Sequence, residues 1–113
     1  MLVRVTTAIP AGAVTLHRKA FDLLDKWGWG PFLAYRAGWE KRGNGHKYPR
    51  VQDSVMVHHT GGAATSTDYM VKGDPGRNLP GPLCNVHIDP GDRRIRLLGA
   101  GPASHAGNGR SEE

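Results

Sequence analysis

The chain has 113 residues, 38% of them hydrophobic, which suits one small domain with one modest core and excludes two separate domains. Its 15 lysines and arginines outnumber its 10 aspartates and glutamates, which favours association with an anionic partner. The single cysteine, Cys84, excludes an intramolecular disulfide framework and a four-cysteine zinc site.

The beginning of the chain predicts an extended arm followed by a helix. Residues 1–14 alternate weakly, contain a proline and a glycine, and lack the pattern of a signal peptide. No apolar run reaches the roughly 18 residues of a membrane span, so we expect synthesis in the cytoplasm and no membrane insertion. The helix is predicted from an N-cap at Thr15 to Trp27, before Gly28. Its core-facing residues at helical spacing are Leu16, Ala20, Leu23 and Leu24.

A loop and then a buried strand are predicted in the middle of the chain. Residues 29–51 are rich in glycine and aromatic residues without a clean period, which favours a loop. The stretch SVMVHH, residues 54–59, predicts a strand because three apolar residues precede its two histidines. Successive side chains on a strand point to opposite faces, so His58 and His59 cannot both face one cleft.

The remaining chain predicts a short helix and a β-hairpin. The helix covers about residues 66–71, and a loop rich in proline and glycine follows it. Strands over 83–88 and 93–99 are joined by a DPGD turn. Alternation along the first strand gives an apolar and a polar face: Cys84, Val86 and Ile88 on one, Asn85 and His87 on the other.

Cys84 and three histidines invite functional interpretations that their surroundings do not favour. A lone cysteine with histidines elsewhere in the chain is the pattern of thiol hydrolases, but the apolar face of the hairpin favours a buried, inert thiol. We expect His17, His46 and His87 at the surface.

Together these elements predict one α/β domain over residues 1–113, with a central mixed sheet flanked by helices. His58 lies at the end of one strand of that sheet. The expected core of the sheet is Val55, Val57, Val86, Ile88, Ile95 and Leu97.

Three motifs in order, HHT at 58–60, PGPL at 80–83 and SHAGNG at 104–109, resemble a known enzyme family. They are similar to the N-acetylmuramoyl-L-alanine amidases related to peptidoglycan recognition proteins, and most of all to the amidase domains of endolysins from phages of actinobacteria. The resemblance covers roughly residues 50–109. It implies a zinc hydrolase with a peptidoglycan-recognition fold, which cleaves the amide between N-acetylmuramic acid and the L-alanine of the stem peptide and acts on the cell wall after release from the cytoplasm.

The resemblance also implies roles for individual residues. His58 matches the first zinc ligand, while His105 lines the substrate cleft without binding the metal. Thr60 and Asn85 match positions that shape the same cleft. Zinc held by three protein ligands lowers the pKa of its bound water and polarises a carbonyl, which is the chemistry that amide hydrolysis requires. We expect His58 and His105 on one side of the sheet, with His59 pointing away.

The sequence departs from this family beyond the SHAG motif. The family's second and third zinc ligands, a histidine and then a cysteine or aspartate, lie well past SHAG, whereas this sequence ends at Glu113. At the hairpin position of the family's catalytic tyrosine stands Cys84 or Asn85. We therefore expect a partial amidase domain with weak or absent zinc and little activity, unless His87 or His105 serves as a substitute ligand.

Two other functions are open at this stage. The chain can be a non-catalytic peptidoglycan-binding or vestigial module, because the implied zinc site is incomplete. It can also be a basic nucleic-acid-binding domain, which is less favoured because no aromatic run interleaves with the scattered basic residues as in a base-stacking groove.

Overall fold

A mixed three-stranded sheet with one long helix forms the body of the protein. The computed structural model describes residues 9–45, 55–58 and 65–104. Within these ranges the chain is a small α/β fold, as the sequence predicts, with helix α1 (Ala11–Leu24) packed beside the sheet. No helix in the same ranges is long and apolar enough to cross a membrane.

The sheet contains strands β1 (Leu33–Tyr35), β4 (Val86–Asp89) and β5 (Arg94–Leu97) in the order β1-β5-β4. Strand β5 pairs in parallel with β1 and antiparallel with β4, so it is the central strand. The hairpin of β4 and β5 confirms the prediction around the DPGD turn. Strand β1 lies inside the segment predicted as a loop, so that prediction is wrong for residues 33–35.

Helix α1 begins earlier than predicted and buries a different face. It starts after Pro10 rather than at Thr15, so residues 11–14 are helical and not extended. Ala13 and Phe21 are buried on its inner side, whereas Leu16 is 47% exposed. The inner face is turned by roughly a quarter of a helical turn from the predicted Leu16 stripe. Exposed residues of that stripe are Leu16, Ala20 and Leu23, and only Leu24 is half-buried.

Aromatic packing explains this rotation of the helix. The Phe21 ring lies 5.3 Å from the Tyr35 ring, and Tyr35 lies 5.6 Å from Trp39, measured between ring centroids. Phe21 and Trp39 belong to one buried cluster with Leu97. A phenylalanine buries more apolar area than a leucine, so the helix presents Phe21 to the sheet. Trp27 and Trp29, unlike Trp39, are exposed.

The predicted strand at 54–59 is not formed where the structure describes it. Residues 55–58 have no regular secondary structure, and Val55 and Val57 are 89% and 88% exposed. Both were expected in the core and as part of the central sheet, and both predictions are wrong. Among the described residues the sheet consists of β1, β5 and β4, and residues 55–58 pair with none of these strands.

The two faces of strand β4 are also reversed relative to the prediction. Val86 and Ile88 are exposed, while His87 is only 5% exposed. The cluster under α1 covers the central strand, where Leu97 is fully buried and Ile95 half-buried as expected, but it does not include the edge residues Val86 and Ile88. Helix α2 (Thr67–Lys72) instead lies against the opposite face and buries His87.

Helix α2 confirms the predicted short helix and anchors a second buried cluster. Its N-cap is Ser66, whose Oγ accepts a hydrogen bond from the Tyr69 N–H at 3.1 Å. Met70 packs with Leu83 and Leu98 in the cluster beneath it. A small antiparallel pair, β2 (Gly73–Asp74) and β3 (Leu79–Pro80), connects the helix to the PGPL segment.

Leucine-to-alanine changes at two positions test this assignment of the core. Leu97→Ala is expected to lower the free energy of unfolding by about 2–5 kcal/mol, because a fully buried side chain leaves a cavity. Leu16→Ala removes the same atoms from an exposed site and is expected to change it by less than about 0.5 kcal/mol. Urea denaturation of both variants measures the difference. Equal losses would mean that the Leu16 face is covered.

Candidate functional site

The segment that follows β5 brings two of the three sequence motifs together. Its backbone bonds to chain on both sides: the Leu98 N–H donates to the Asn85 carbonyl at 2.8 Å, and the Ala100 N–H donates to the Trp39 carbonyl at 2.9 Å. Farther along, the Ser104 N–H donates to the Pro82 carbonyl at 2.9 Å. Ser104 is the first residue of the SHAGNG motif and Pro82 belongs to PGPL, so this hydrogen bond joins the start of one motif to the other.

The PGPL segment (Pro80–Leu83) rests on the end of helix α2. The Leu83 N–H donates to the Met70 carbonyl at 2.7 Å, and the Leu83 side chain packs in the same cluster as Met70. A Cβ atom on Gly81 would collide with the carbonyl of Val71. Glycine is therefore required here by close backbone packing, which gives this motif residue a structural role.

The Asn85 side chain forms hydrogen bonds to the segment that leads to Ser104. Its side-chain Nδ2 donates to the Gly99 carbonyl at 2.8 Å and to the Gly101 carbonyl at 2.7 Å. Both protons of the amide nitrogen are therefore engaged by the backbone. The structure gives Asn85 a positioning role beside the two motifs, and its contact with substrate stays a prediction.

Two residues that the sequence did not single out hold the other side of this segment. Arg42 donates from Nη1 to the Leu98 carbonyl and from Nη2 to the Ala37 carbonyl, both at 2.7 Å. Burial lowers the pKa of its guanidinium. Asn44 Nδ2 donates to the Ser104 Oγ at 3.1 Å. These partners are separated from Leu98 and Ser104 by more than fifty positions, so no local pattern in the sequence marks them.

The structure places the predicted site residues only in part. His58 is exposed, and it does not stand at the end of a strand. Thr60, His59 and His105 lie outside the described residues, so the shared side of His58 and His105 stays a prediction. His87, which we expected at the surface and considered as a substitute zinc ligand, is buried, with Nδ1 3.1 Å from the Thr67 Oγ1.

The described residues do not fit a three-ligand zinc site. Across 9–45, 55–58 and 65–104, no three histidine, cysteine, aspartate or glutamate side chains converge. Cys84 is a poor ligand and a poor nucleophile because burial raises the pKa of its thiol to about 11. This agrees with the interpretation of an inert thiol. His58 is the one residue of this chain that the resemblance implies as a zinc ligand.

Comparisons with models of protein families, with curated proteins and with solved structures found no match. The functional assignment therefore depends on the motifs themselves and on the contacts that join them. In the described residues Ser104 bonds directly to Pro82, and Asn85 bonds to the Gly99 and Gly101 carbonyls in the segment that leads to Ser104.

Substitution of Asn85 separates its positioning role from a purely substrate-binding one. Asn85→Ala is expected to lower the free energy of unfolding by about 1–3 kcal/mol, because two backbone carbonyls lose their donor. Asn85→Asp is expected to destabilise more at neutral pH than in acid, since an ionised carboxylate cannot donate. Thermal unfolding at both pH values measures this.

The matched control is Asn78→Asp, at an exposed residue with φ of 58°, a conformation that aspartate also tolerates. We expect this control to change the free energy of unfolding by less than about 0.5 kcal/mol. An Asn85→Ala protein as stable as the parent would refute the positioning role.

Proposed function

We propose that the chain acts on peptidoglycan as a domain of the N-acetylmuramoyl-L-alanine amidase type. The observation that carries the proposal is the order HHT, PGPL and SHAGNG in the sequence, together with the hydrogen bond between Ser104 and Pro82. Motifs that share a ligand must lie close together, and this contact brings Ser104, the first residue of SHAGNG, beside PGPL. The α/β fold with a mixed sheet is compatible with the same proposal.

The charge of the chain supports a cell-wall partner. Its formal net charge is +5, and bacterial wall polymers and the stem peptides of peptidoglycan carry carboxylates or other anionic groups. Arg93 in the hairpin turn and Arg94 at the start of β5 are exposed, and their guanidiniums form no salt bridge among the described residues, whereas Arg96 is paired with Asp92 and Asp89. The free guanidiniums favour association with an anionic surface, which speeds encounter without defining the chemistry.

Hydrolysis through zinc requires more ligands than the described residues supply. His58 is the proposed first ligand, and one exposed imidazole does not hold zinc tightly. The same observation favours a second candidate function, a non-catalytic peptidoglycan-binding module. The two functions share their ligand and differ in whether the bound amide is cleaved.

Zinc content and activity distinguish these functions. After dialysis the purified chain is expected to hold well below one equivalent of zinc, to sediment with insoluble peptidoglycan and to release little stem peptide. The variant His58→Ala removes the proposed ligand, and His17→Ala is the matched control because His17 lies on helix α1 and its Nδ1 contacts the Ala13 carbonyl.

Each outcome of this experiment has one interpretation. Stoichiometric zinc and stem-peptide release that His58→Ala abolishes and His17→Ala retains would establish the amidase and refute the expectation of weak zinc binding. Sedimentation with peptidoglycan but no release would establish the binding module. Absence of sedimentation, together with DNA binding that weakens steeply with salt, would overturn the proposal in favour of nucleic acid.

A further inference from the structure

His87 is a buried imidazole between strand β4 and helix α2. It is the one polar or ionisable side chain in the described ranges that is buried, at 5% exposure. Its Nδ1 lies 3.1 Å from the Oγ1 of Thr67, the first residue of α2. A neutral imidazole fits this place because it forms a hydrogen bond there without carrying a charge out of water.

Among the described residues, the carboxylates that act on His87 are already paired with an arginine. On β5, Arg96 stands directly opposite His87, and its guanidinium pairs with Asp92 and Asp89. Burial lowers the pKa of His87, and Arg96 lowers it further, against the opposing effect of Asp89 and Asp92.

The acidic residue of helix α2 is also engaged. Asp68 of α2 pairs with Arg36 at 2.6 Å, on the chain just after β1. Lys72, at the end of the helix, adds a positive charge to the same element. A proton on His87 therefore adds a cation to a face whose acids are already paired with arginines.

Helix α2 depends for its position on its contacts with His87 and Arg36. With 6 residues it is far shorter than the roughly 12–15 residues at which isolated helices become marginally stable in water. Its first turn is tied to the rest of the fold by the Thr67–His87 and Asp68–Arg36 contacts. Its last turn supports the PGPL segment through the bond from Leu83 to Met70.

We propose that His87 is an acid-sensitive latch, whose protonation releases the first turn of helix α2 from the sheet and loosens the PGPL segment that the helix supports. The latch follows from burial and contacts of described residues and does not depend on the proposed function. If the chain acts on peptidoglycan, the latch makes the arrangement of PGPL beside Ser104 depend on pH.

The direction of the pH dependence follows from the lowered pKa. An imidazole exposed by opening of α2 regains the ordinary pKa of about 6.5 and binds a proton more tightly than the buried one. The closed form is therefore fully favoured above the ordinary pKa. It loses stability as the pH falls from that value through the lower pKa of buried His87.

Amide hydrogen exchange of the full chain, resolved by NMR and corrected for intrinsic rates, tests the latch. Between about pH 7.5 and about pH 5.5, protection of residues 69–72 is expected to fall several-fold, with a ceiling of about tenfold set by protonation of an exposed imidazole. Protection in α1 and β5 is expected to fall less, because the opening is local.

Four variants make the result specific. His87→Asn places an amide near the Nδ1 position without a titrating group, so the pH dependence of residues 69–72 should disappear. Thr67→Val should lower their protection already at the higher pH, and Thr67→Ser should preserve it. His17→Asn, which removes the partly buried histidine of α1, should leave the response of α2 unchanged.

The following results would overturn the proposed latch. Protection of residues 69–72 that is independent of pH would overturn it, as would a parallel fall in α1, α2 and β5, which indicates global unfolding. A pH response that persists in His87→Asn would assign the effect to another group. If His87→Asn does not fold, the contrast between Thr67→Val and Thr67→Ser decides whether the contact holds the helix.

Discussion

The fold depends on the hydrogen bonding of one continuous segment, residues 94–104, to chain on both sides. One side is β1 and the turn after it, through Trp39, and the other is β4 and Asn85. The segment also contributes Leu97 and Leu98, which are fully buried and belong to two different clusters. It therefore joins the packing under α1 to the packing under α2, and a change in its register would disturb both.

The two faces of the sheet differ in chemistry. We infer that the face under α1 contributes stability and that the face under α2 gives the proposed dependence on pH. The face under α1 is apolar and aromatic, with Phe21 and Trp39 against Leu97. The face under α2 carries His87 and Arg96, held by hydrogen bonds and ion pairs. Apolar packing responds little to pH, whereas the polar face contains a group that titrates. The PGPL segment packs on helix α2 through Leu83 and Met70, so it lies on the same side of the sheet as His87.

Local signals in the sequence predicted helix α2 and the hairpin turn correctly, although the N-cap predicted at Thr15 lies inside helix α1. Ser66 marked the start of α2, and the DPGD turn marked the hairpin, in which Asp89 Oδ1 accepts a hydrogen bond from the Gly91 N–H at 2.8 Å. Predictions that required knowledge of neighbours failed. Val55 and Val57 have strand character but no partner strand, and Leu16 has helical spacing but lies on the uncovered side. Strand β1 has 3 residues and no pattern, and only its parallel partner defines it.

The same division applies to the candidate site. The motifs PGPL and SHAGNG and their order in the sequence led to the proposed function. They did not show which residues hold the two segments together. Asn85 was singled out by the family resemblance, yet its two bonds to backbone carbonyls are nonlocal and have no signature in sequence. Arg42 and Asn44 were missed for the same reason. His87 was wrongly predicted at the surface because a histidine in an alternating strand is usually exposed. Its contact with the Thr67 hydroxyl makes its burial tolerable.

The central claim is that the surface joining PGPL to Ser104 recognises a muramyl peptide. NMR titration of the full chain with N-acetylmuramoyl-L-alanyl-D-isoglutamine measures this directly, because the ligand carries the glycan, the lactyl amide and the first stem residues. The account predicts saturable shifts of the Leu83, Cys84 and Ser104 amides, with the Leu16 and Leu23 amides of α1 unchanged. Saturable shifts confined to α1, or no shifts at millimolar ligand, would contradict it.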